Sequence, residues 1–394
     1  MKSTRYFTLN YTGFTAAASE GQAYLRLIAG EHLFYTDKRH FADPAGFQSL
    51  RIDRPLHLGT RRLADGSYWI HWLSDGETRL EPARPPLKKK LLIFFISLLL
   101  CFATAWPTFL YFSPLMLFTC GTIAMIAFVT ALYFFCGLLQ RGVRRCHPAM
   151  RDLQARMRQA ARGDFSFCQI LSSSPSLRKQ ALPGFTQPER FALIEGTIEA
   201  SRFKQWSRGA GKTRRTYHGV EFICARRALS FSWLVQDLAQ GLDPIFYRRH
   251  PPFLANGDHI VAVYQRDDNS VQALYNVNDG AAYLKSHTFH SGDQQMSRIY
   301  KVVYGIGLLL FLFTCGMIAH DMLPGWDSWK FASQALDMFS MILLVTSGFI
   351  AVFELVQMAI RHLSSQVADW LKLHHLFRQA VKDSGTGIAY RELM

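Results

Sequence analysis

The stretch Leu91–Phe112 has the sequence LLIFFISLLLCFATAWPTFLYF and is one of four long apolar runs in this chain of 394 residues. The other three runs are Leu115–Leu139, Val302–His320 and Phe339–Ile360. Each has about the 20 residues that a helix needs to cross the hydrocarbon core of a bilayer. Because the runs lie in two close pairs, the sequence predicts an α-helical polytopic membrane protein. Its four transmembrane helices would form two hairpins, joined to β-rich cytoplasmic modules (α+β).

The net charge of +15 is concentrated beside the apolar runs. The flanking basic residues are Lys88, Lys89, Lys90, Arg141, Arg144 and Arg145. The positive-inside rule places this side of the membrane in the cytoplasm, so we expect a bacterial inner-membrane protein with both termini inside. Since topology accounts for the basic charge, no nucleic-acid partner is predicted. The arginines after the second run are also suited to anionic lipid headgroups.

The apolar runs divide the chain into six predicted segments. These are an N-terminal β-rich cytoplasmic module (1–86), a first transmembrane hairpin (91–139), a cytoplasmic basic helix (140–163), a central cytoplasmic module of β-barrel or sandwich type (185–295), a second transmembrane hairpin (302–360) and a C-terminal amphipathic cytoplasmic helix with a tail (361–394).

Short runs rich in aromatic and β-branched residues predict the strands of both β modules. In the first module they are Tyr6–Tyr11, Tyr24–Ile28, His32–Tyr35 and Tyr68–Leu73. In the second they are Ala192–Glu199, Val220–Ala225 and a hairpin of His259–Tyr264 with Val271–Tyr275. A helical insert is expected over Ala228–Gln240.

Two amphipathic helices are predicted to continue the second and fourth spans. Met150, Leu153 and Met157 recur at helical spacing in the first of these helices. The second carries the stripe Leu363, Val367, Trp370, Phe377 and Val381, with His374 at the skipped position. These helices would pack together, pack against another subunit, or lie on the inner leaflet.

Small residues at helical spacing mark one face of the second span. They are Gly121, Ala124, Ala127 and Ala131. Such a face allows close approach of a partner helix, so helix packing is the expected use, and a pore lining is the alternative.

Motifs for chemistry are weak in this sequence. Gly209-Ala210-Gly211-Lys212-Thr213 resembles the end of a P-loop, but Trp206 occupies the position of the first required glycine, and a basic hairpin loop is the better interpretation. His287/His290 and His374/His375 lack neighbouring ligands of the kind that zinc sites use. The seven cysteines show no pairing pattern and no CxxC. No enzymatic activity, cofactor or metal is therefore predicted.

Glu354 is the most informative single residue because it lies inside the fourth apolar run. An ionisable group there is costly and should face protein or water. It would reach towards the inner interface, pair with a basic residue near the boundary such as Arg361, or serve a function. Together with Asp337 at the outer edge of the same run, it would form cation-attracting rings in an oligomer.

Two classes of function are compatible with these features. The first is an oligomeric protein that conducts ions or perturbs the membrane under control of its cytoplasmic modules. The second is a membrane-anchored binding or assembly module, a scaffold or a sensor, without a pore. The expected partners are the lipid bilayer and either further copies of the chain or another protein.

The stretch Phe253–Val263 (FLANGDHIVAV), with Leu274–Asn276 and Asp279-Gly280, resembles part of a known group of proteins. It is similar to the barrel segment of bacterial membrane proteins labelled as type VI secretion effectors. The resemblance implies a bacterial source and an effector-like role between bacteria as a further alternative. It carries over no catalytic residue.

Overall fold

The computed structural model describes residues 4–83, 87–110, 114–171, 188–209, 215–235, 249–287, 293–321, 327–383 and 390–393. These residues belong to two compact units. The first comprises the described parts of 1–177 and 236–253, and the second those of 178–235 and 254–394.

The first unit contains an eight-stranded sheet. Its strands are β1 (Thr4–Asn10), β2 (Thr15–Ala16), β3 (Tyr24–Ala29), β4 (His32–Asp37), β5 (Pro55–Arg62), β6 (Tyr68–Ser74), β7 (Arg79–Leu80) and β8 (Gln169–Ile170). The spatial order is β2-β3-β4-β6-β5-β1-β8, and β7 pairs with β6. Alternate residues such as Phe7 and Leu9 on β1 are buried in the core, as expected for a strand with one buried face.

Three helices follow β7 in the first unit: α1 (Leu87–Leu110), α2 (Pro114–Cys146) and α3 (Pro148–Ala160). The chain turns between α2 and α3 at His147, whose Nδ1 accepts a hydrogen bond from the Ala149 N–H at 3.2 Å. Pro148 occupies the first turn of α3, where a missing N–H is tolerated. Met150 and Leu153 on α3 are buried with Trp72 of the sheet.

The second unit contains a seven-stranded sheet in the order β11-β10-β9-β12-β13-β14-β15. The strands are β9 (Phe191–Arg208), β10 (Arg215–Cys224), β11 (Arg227–Leu234), β12 (His259–Gln265), β13 (Val271–Asn276), β14 (Ala281–Lys285) and β15 (Arg391–Leu393). The helices are α4 (Asp293–Asp321), α5 (Ser328–Leu363) and α6 (Ser365–Asp383). Phe377 and Val381 of α6 are buried against β13 and β14 residues, including Tyr275 and Leu284.

The two units share one order of elements. Each has an antiparallel-rich sheet, then a pair of long apolar helices in mutual contact, then an amphipathic helix packed on the sheet. Each ends in a short strand that adds parallel to the sheet, β8 beside β1 and β15 beside β14. The downstream end of each helix pair is thereby returned to the sheet of its own unit.

The predicted fold class, a four-helix membrane bundle, is wrong. The described residues form an α+β fold dominated by two large sheets, with fifteen strands and six helices. Only two helical segments in them are long and apolar enough to cross a bilayer, Ile299–Ala319 in α4 and Ser328–Leu363, which is α5. In α1 and α2 the corresponding apolar segments are Leu91–Trp106 and Ile126–Leu139, which are shorter. The apolar runs dominated the prediction because alternating strands have low mean hydropathy although they bury half their residues.

Several local predictions are confirmed and others are wrong. The four predicted strands of the first sheet and the hairpin formed by β12 and β13 are present. The helical insert predicted over Ala228–Gln240 is wrong for Ala228–Leu234, which belongs to strand β11, and residues 236–240 lie outside the described residues. The amphipathic stripes on α3 and α6 exist, but each is covered by a sheet of its own unit. Leu363 is the exception in the second stripe, since it is 87% exposed.

Candidate anion-binding site

A concave surface on the second sheet begins where β9 changes partners. Residues Phe191–Thr197 of β9 pair with β12, whereas Ile198–Arg208 pair with β10. In the β9–β10 register, Arg208 lies opposite Arg215, Trp206 opposite Tyr217, and Lys204 opposite Gly219. Since side chains at i and i+2 share a face, these six residues form three successive rows on one surface.

Gly219 allows the aromatic row to lie flat on the sheet. A Cβ atom at Gly219 would stand 2.7 Å from Cζ3 and 2.8 Å from Cη2 of the Trp206 ring. The ring therefore occupies the space that any other residue would fill. Trp206 and Tyr217 are stacked with ring centroids 5.9 Å apart and an interplanar angle of 13°. Trp206 remains 37% exposed, so part of its ring is accessible to a ligand.

Lys285, the last residue of β14, enters the same cavity from another side of the unit. Its Nζ donates a hydrogen bond to Oγ of Ser232, which lies on β11 beside Gly219. Burial lowers the pKa of Lys285, with a smaller lowering from the Arg208 guanidinium, and the Asp268 carboxylate acts in the opposite direction. Lys285 is therefore a partly buried cation for which the effect of burial exceeds the compensation from Asp268.

Strand β11 curls back towards β13 and forms one wall of the cavity, which stays open to solvent at the exposed residues Trp206, Arg208 and Arg215. The backbone N–H of Ser230 donates to the carbonyl of Asn269 at 3.2 Å, and Ser230 forms an isolated bridge with Ser270. The Phe231 and Tyr283 rings also approach across the fold, with centroids 6.2 Å apart. The space enclosed is about 700 Å³, and Lys204, Arg208, Arg215 and Lys285 all line it.

The charges around the cavity favour an anion. Two carboxylates, Glu221 and Asp268, line it together with the four cations, and Glu221 already pairs with Lys204. Arg208 and Arg215 stand directly opposite each other, and no carboxylate among the described residues forms an ion pair with either. Like charges placed opposite each other across strands are destabilising, so an anion bound there would relieve the repulsion.

A hydroxyl group adds a further donor for such a ligand. Oγ of Ser286, which lines the cavity, is buried and makes no hydrogen bond within the described part of the chain. The Ser286 backbone is held in place, because its N–H donates to the carbonyl of Leu393 on β15 at 2.6 Å. A buried hydroxyl without a partner is costly, and a ligand oxygen would satisfy it.

The residues predicted from the apolar runs lie away from this cavity's lining. Glu354 is exposed on α5 and accepts a hydrogen bond from the Tyr300 hydroxyl of α4. Its partner is thus a tyrosine of the neighbouring helix. Asp337 is exposed on the same helix. The two helices approach closely where a Cβ on Gly307 would stand 3.0 Å from Cγ2 of Thr346.

The predicted packing face and basic clusters belong to the first unit. Ala127 and Ala131 of α2 are buried and Ala124 is half-buried, while the side-chain surroundings of Gly121 lie outside the description. The basic residues occupy the first turn of α1 and the last turns of α2. They are Lys88, Lys89, Lys90, Arg141, Arg144 and Arg145.

The motif candidates are also placed by the structure. Gly209 has a positive φ of 92° at the end of β9, and residues 210–213 lie outside the description. Strands flank this segment on both sides, which is the hairpin arrangement and not that of a P-loop. His374 Nε2 lies 3.1 Å from Oε1 of Glu392, and this buried pair joins α6 to β15. His287 lines the anion cavity, whereas His290 is outside the described residues.

The segment Phe253–Val263 has a structural role in this fold. Asp258 is buried and accepts hydrogen bonds from the Ala255 N–H at 3.0 Å and from Nδ2 of Asn276 at 2.8 Å. Gly257 supplies the positive φ of 84° that the tight turn before β12 requires. These contacts fix the β12–β13 hairpin.

The cavity was missed in the sequence, although one signal was present. Lys204, Trp206 and Arg208 alternate with less characteristic residues at the spacing of a strand, and Arg215 and Tyr217 repeat the pattern on the return. That pattern indicates one basic and aromatic face of a hairpin. The contribution of Lys285 is a consequence of topology, because Lys285 lies 77 positions after Arg208 in the chain.

No family model, curated protein or solved structure matches this chain.

Proposed function

We propose that this chain is a membrane-anchored binding protein. The helix pair α4–α5 is its anchor, and the cavity lined by β9, β10, β11 and β14 captures an anionic ligand. The function is that of a binding or sensing module at a membrane, one of the two classes that the sequence left open.

The anchor is supported by the composition and exposure of α4 and α5. The most apolar 18-residue windows within Ile299–Ala319 and Ser328–Leu363 have mean hydropathies of 2.3 and 2.2. A core helix of a soluble protein with this composition would be mostly buried, but only 6% of the window in the first helix and none of the window in the second is buried within the chain. Helices that are apolar on all sides and uncovered by protein are stable in a hydrocarbon environment.

The single observation that carries the binding function is the opposed pair Arg208 and Arg215, with Lys285 close to Arg208. These cations converge on one cavity, and neither arginine has an ion-pair partner among the described residues, whereas Asp268 partly compensates Lys285. A cavity of about 700 Å³ is within the size range of small-molecule sites. Arg208 and Arg215 are exposed, and an anion bound between them would offset the repulsion of their charges.

The binding function is tested with inorganic pyrophosphate, titrated calorimetrically into the full chain in detergent. We expect saturable binding that weakens as salt is added and that Arg208→Gln reduces about tenfold, since one charge-assisted contact is lost. Lys382→Gln is the matched charge control, because Lys382 is exposed in the last turn of α6. Absence of saturable binding, or an equal effect of both variants, contradicts the proposal.

The anchor is tested separately by extracting membranes with alkaline carbonate. The full chain should stay in the membrane pellet, whereas a double variant with Leu344→Lys and Val345→Lys in α5 should be released or fail to insert. Leu344 and Val345 are 74% and 60% exposed. Release of the unmodified chain would contradict an integral anchor.

Ion conduction by an oligomer is a second candidate, favoured by the exposure of Glu354 within a candidate span. An ionisable group in that position requires protein or water beside it, and further copies of the chain would provide both. Proteoliposomes that contain the full chain would then pass cations, and Glu354→Gln would reduce the flux more than Asp337→Asn. Tight liposomes would exclude this function and leave the binding proposal standing.

A further inference from the structure

The cavity has an ordered chemical pattern along the β9–β10 arm. The outermost row is cationic (Arg208 and Arg215), and the next is aromatic (Trp206 and Tyr217). The third row contains Lys204 opposite Gly219, which has no side chain. Ser232 stands beside Gly219 and binds the Lys285 ammonium at 3.2 Å. An aromatic platform is thus bracketed by cations on both sides.

The spacing of these rows limits the ligand. Residues at i and i+2 of a strand are separated by about 6.6–6.8 Å, so each cationic row is that far from the aromatic row along the strand. A ligand that contacts both the aromatic row and a cationic row therefore carries a planar ring and an anionic group that are roughly one sugar unit apart. The exposed part of Trp206 provides a stacking surface, and its seat on Gly219 fixes the ring.

We infer that the cavity accepts a phosphate ester that carries a planar aromatic ring, of the mononucleotide class. The ring would stack on Trp206, and the phosphate would be bound by the arginine row or by Lys204 and Lys285. The inference rests on the proposed binding function and adds the chemical class of the ligand. The ligand would contact side chains on the face of the sheet, and its proposed contacts do not include the backbone of the Gly209–Thr213 segment.

Other anions satisfy fewer of the observed features. A phospholipid headgroup or free phosphate would use the cations but not the Trp206–Tyr217 pair. A long polyphosphate or nucleic-acid strand would be repelled at the carboxylates of Glu221 and Asp268, which line the cavity. A single ring with a single phosphate fits the cations, the aromatic row and the volume together.

The inference is tested by comparing adenosine 5′-monophosphate, ribose 5-phosphate and adenosine on the full chain in detergent. We expect the first to bind about tenfold more tightly than either of the others, since it alone gains both stacking and phosphate contacts. Trp206→Leu should abolish the advantage over ribose 5-phosphate. Trp329→Leu is the control, because Trp329 is 82% exposed at the start of α5.

The outcomes separate this inference from the binding function itself. Equal affinities for adenosine 5′-monophosphate and ribose 5-phosphate would contradict the inference that the ligand carries an aromatic ring, even if pyrophosphate binds. If phosphatidylglycerol vesicles compete with pyrophosphate more strongly than adenosine 5′-monophosphate does, the cavity binds a lipid headgroup and the inference is overturned. Absence of pyrophosphate binding overturns both. Tyr217→Leu serves as a second variant of the aromatic row if Trp206→Leu does not fold.

Discussion

The indole Nε1 of Trp370 donates a hydrogen bond to the backbone carbonyl of Lys285 at 2.9 Å. Trp370 is buried at 2% exposure on α6, and Lys285 is the last residue of β14. The carbonyl is held from the α6 side, and the ammonium group of the same residue enters the anion cavity. Helix α6 thus positions one of the ligand-binding cations that we propose.

Replacing Trp370 with Phe tests that relationship. The variant keeps an aromatic side chain in the core but removes the donor, so we expect a loss of about 1 kcal/mol in the free energy of unfolding. Pyrophosphate affinity should also fall, because Lys285 is held less firmly. Thermal unfolding and calorimetric titration measure the two effects. Trp329→Phe, at an exposed indole, should change neither, and a similar effect of both variants would contradict the positioning role.

The lowered pKa of Lys285 predicts the pH dependence of binding. An ordinary lysine loses its proton near pH 10.4, so this side chain loses it at a lower pH in the free protein. A bound anion favours the charged form, and binding therefore takes up protons as the pH rises through that pKa. As the pH is raised, the affinity for sulfate, which does not titrate in this range, should therefore begin to decline at a lower pH than it would if Lys285 had an ordinary pKa.

Arginine in place of lysine is the matched variant for the pH experiment. Lys285→Arg retains a cation that does not titrate below about pH 12, so its sulfate affinity should stay level where the affinity of the unmodified chain declines. Parallel pH profiles for the two proteins would assign the decline to another group and contradict the role of Lys285.

Gly219→Ala should damage the aromatic row. Replacing glycine with alanine often stabilises a protein by about 0.4–1 kcal/mol through the unfolded state. Here the new Cβ would stand under 3 Å from two atoms of the Trp206 ring, and such overpacking costs about 1–3 kcal/mol. We therefore expect net destabilisation and weaker binding of adenosine 5′-monophosphate.

The control for the glycine experiment is Gly137→Ala on α2. A Cβ added at Gly137 meets no atom within 4 Å, so that variant should be neutral or stabilised in thermal unfolding. If Gly219→Ala behaves in the same way as Gly137→Ala, Trp206 is not seated as the structure has it.

Tyr6 predicts a loss of stability at alkaline pH in the first unit. Burial, reinforced by the hydrogen bond to Asp152, raises its pKa above the ordinary value. A tyrosine with a raised folded-state pKa stabilises the protein below about pH 10, and that contribution is lost as the pH rises further. Tyr6→Phe should therefore show a smaller alkaline decline in melting temperature. Tyr133→Phe, at a 74% exposed side chain, should decline as the unmodified chain does.

The sequence predicted strands where the local pattern was unambiguous. The β12–β13 hairpin was predicted because Ile260 and Ala262 alternate across a turn from Ala273 and Tyr275, and the structure pairs these strands. Strand β5 was missed because Pro55, His57 and Gly59 weaken strand propensity, although its Leu56 and Leu58 are fully buried.

Strand β11 was predicted as a helix although its period is that of a strand. Leu229, Phe231 and Trp233 are buried in alternation with Ser230 and Ser232. The cavity could be predicted only in part, since the alternating basic and aromatic face of β9 is visible in the sequence. The approach of Lys285 depends on β11 curling back to the start of β13, which is a long-range contact that local patterns do not encode.

The attachment of the α4–α5 pair has a mechanical consequence. The chain enters it shortly after β14 and returns through α6 to β15, and β14 and β15 are neighbouring strands with Lys285 in register with Leu393. The helix pair and the two strands therefore form a closed loop, so a pull on the helices is shared by adjacent strands. Any displacement of the helix pair along the sheet would therefore shear β14 against β15. The bonds that resist this shear lie next to Lys285 and Ser286, so a pull on the helix pair and occupancy of the cavity would act on the same few hydrogen bonds.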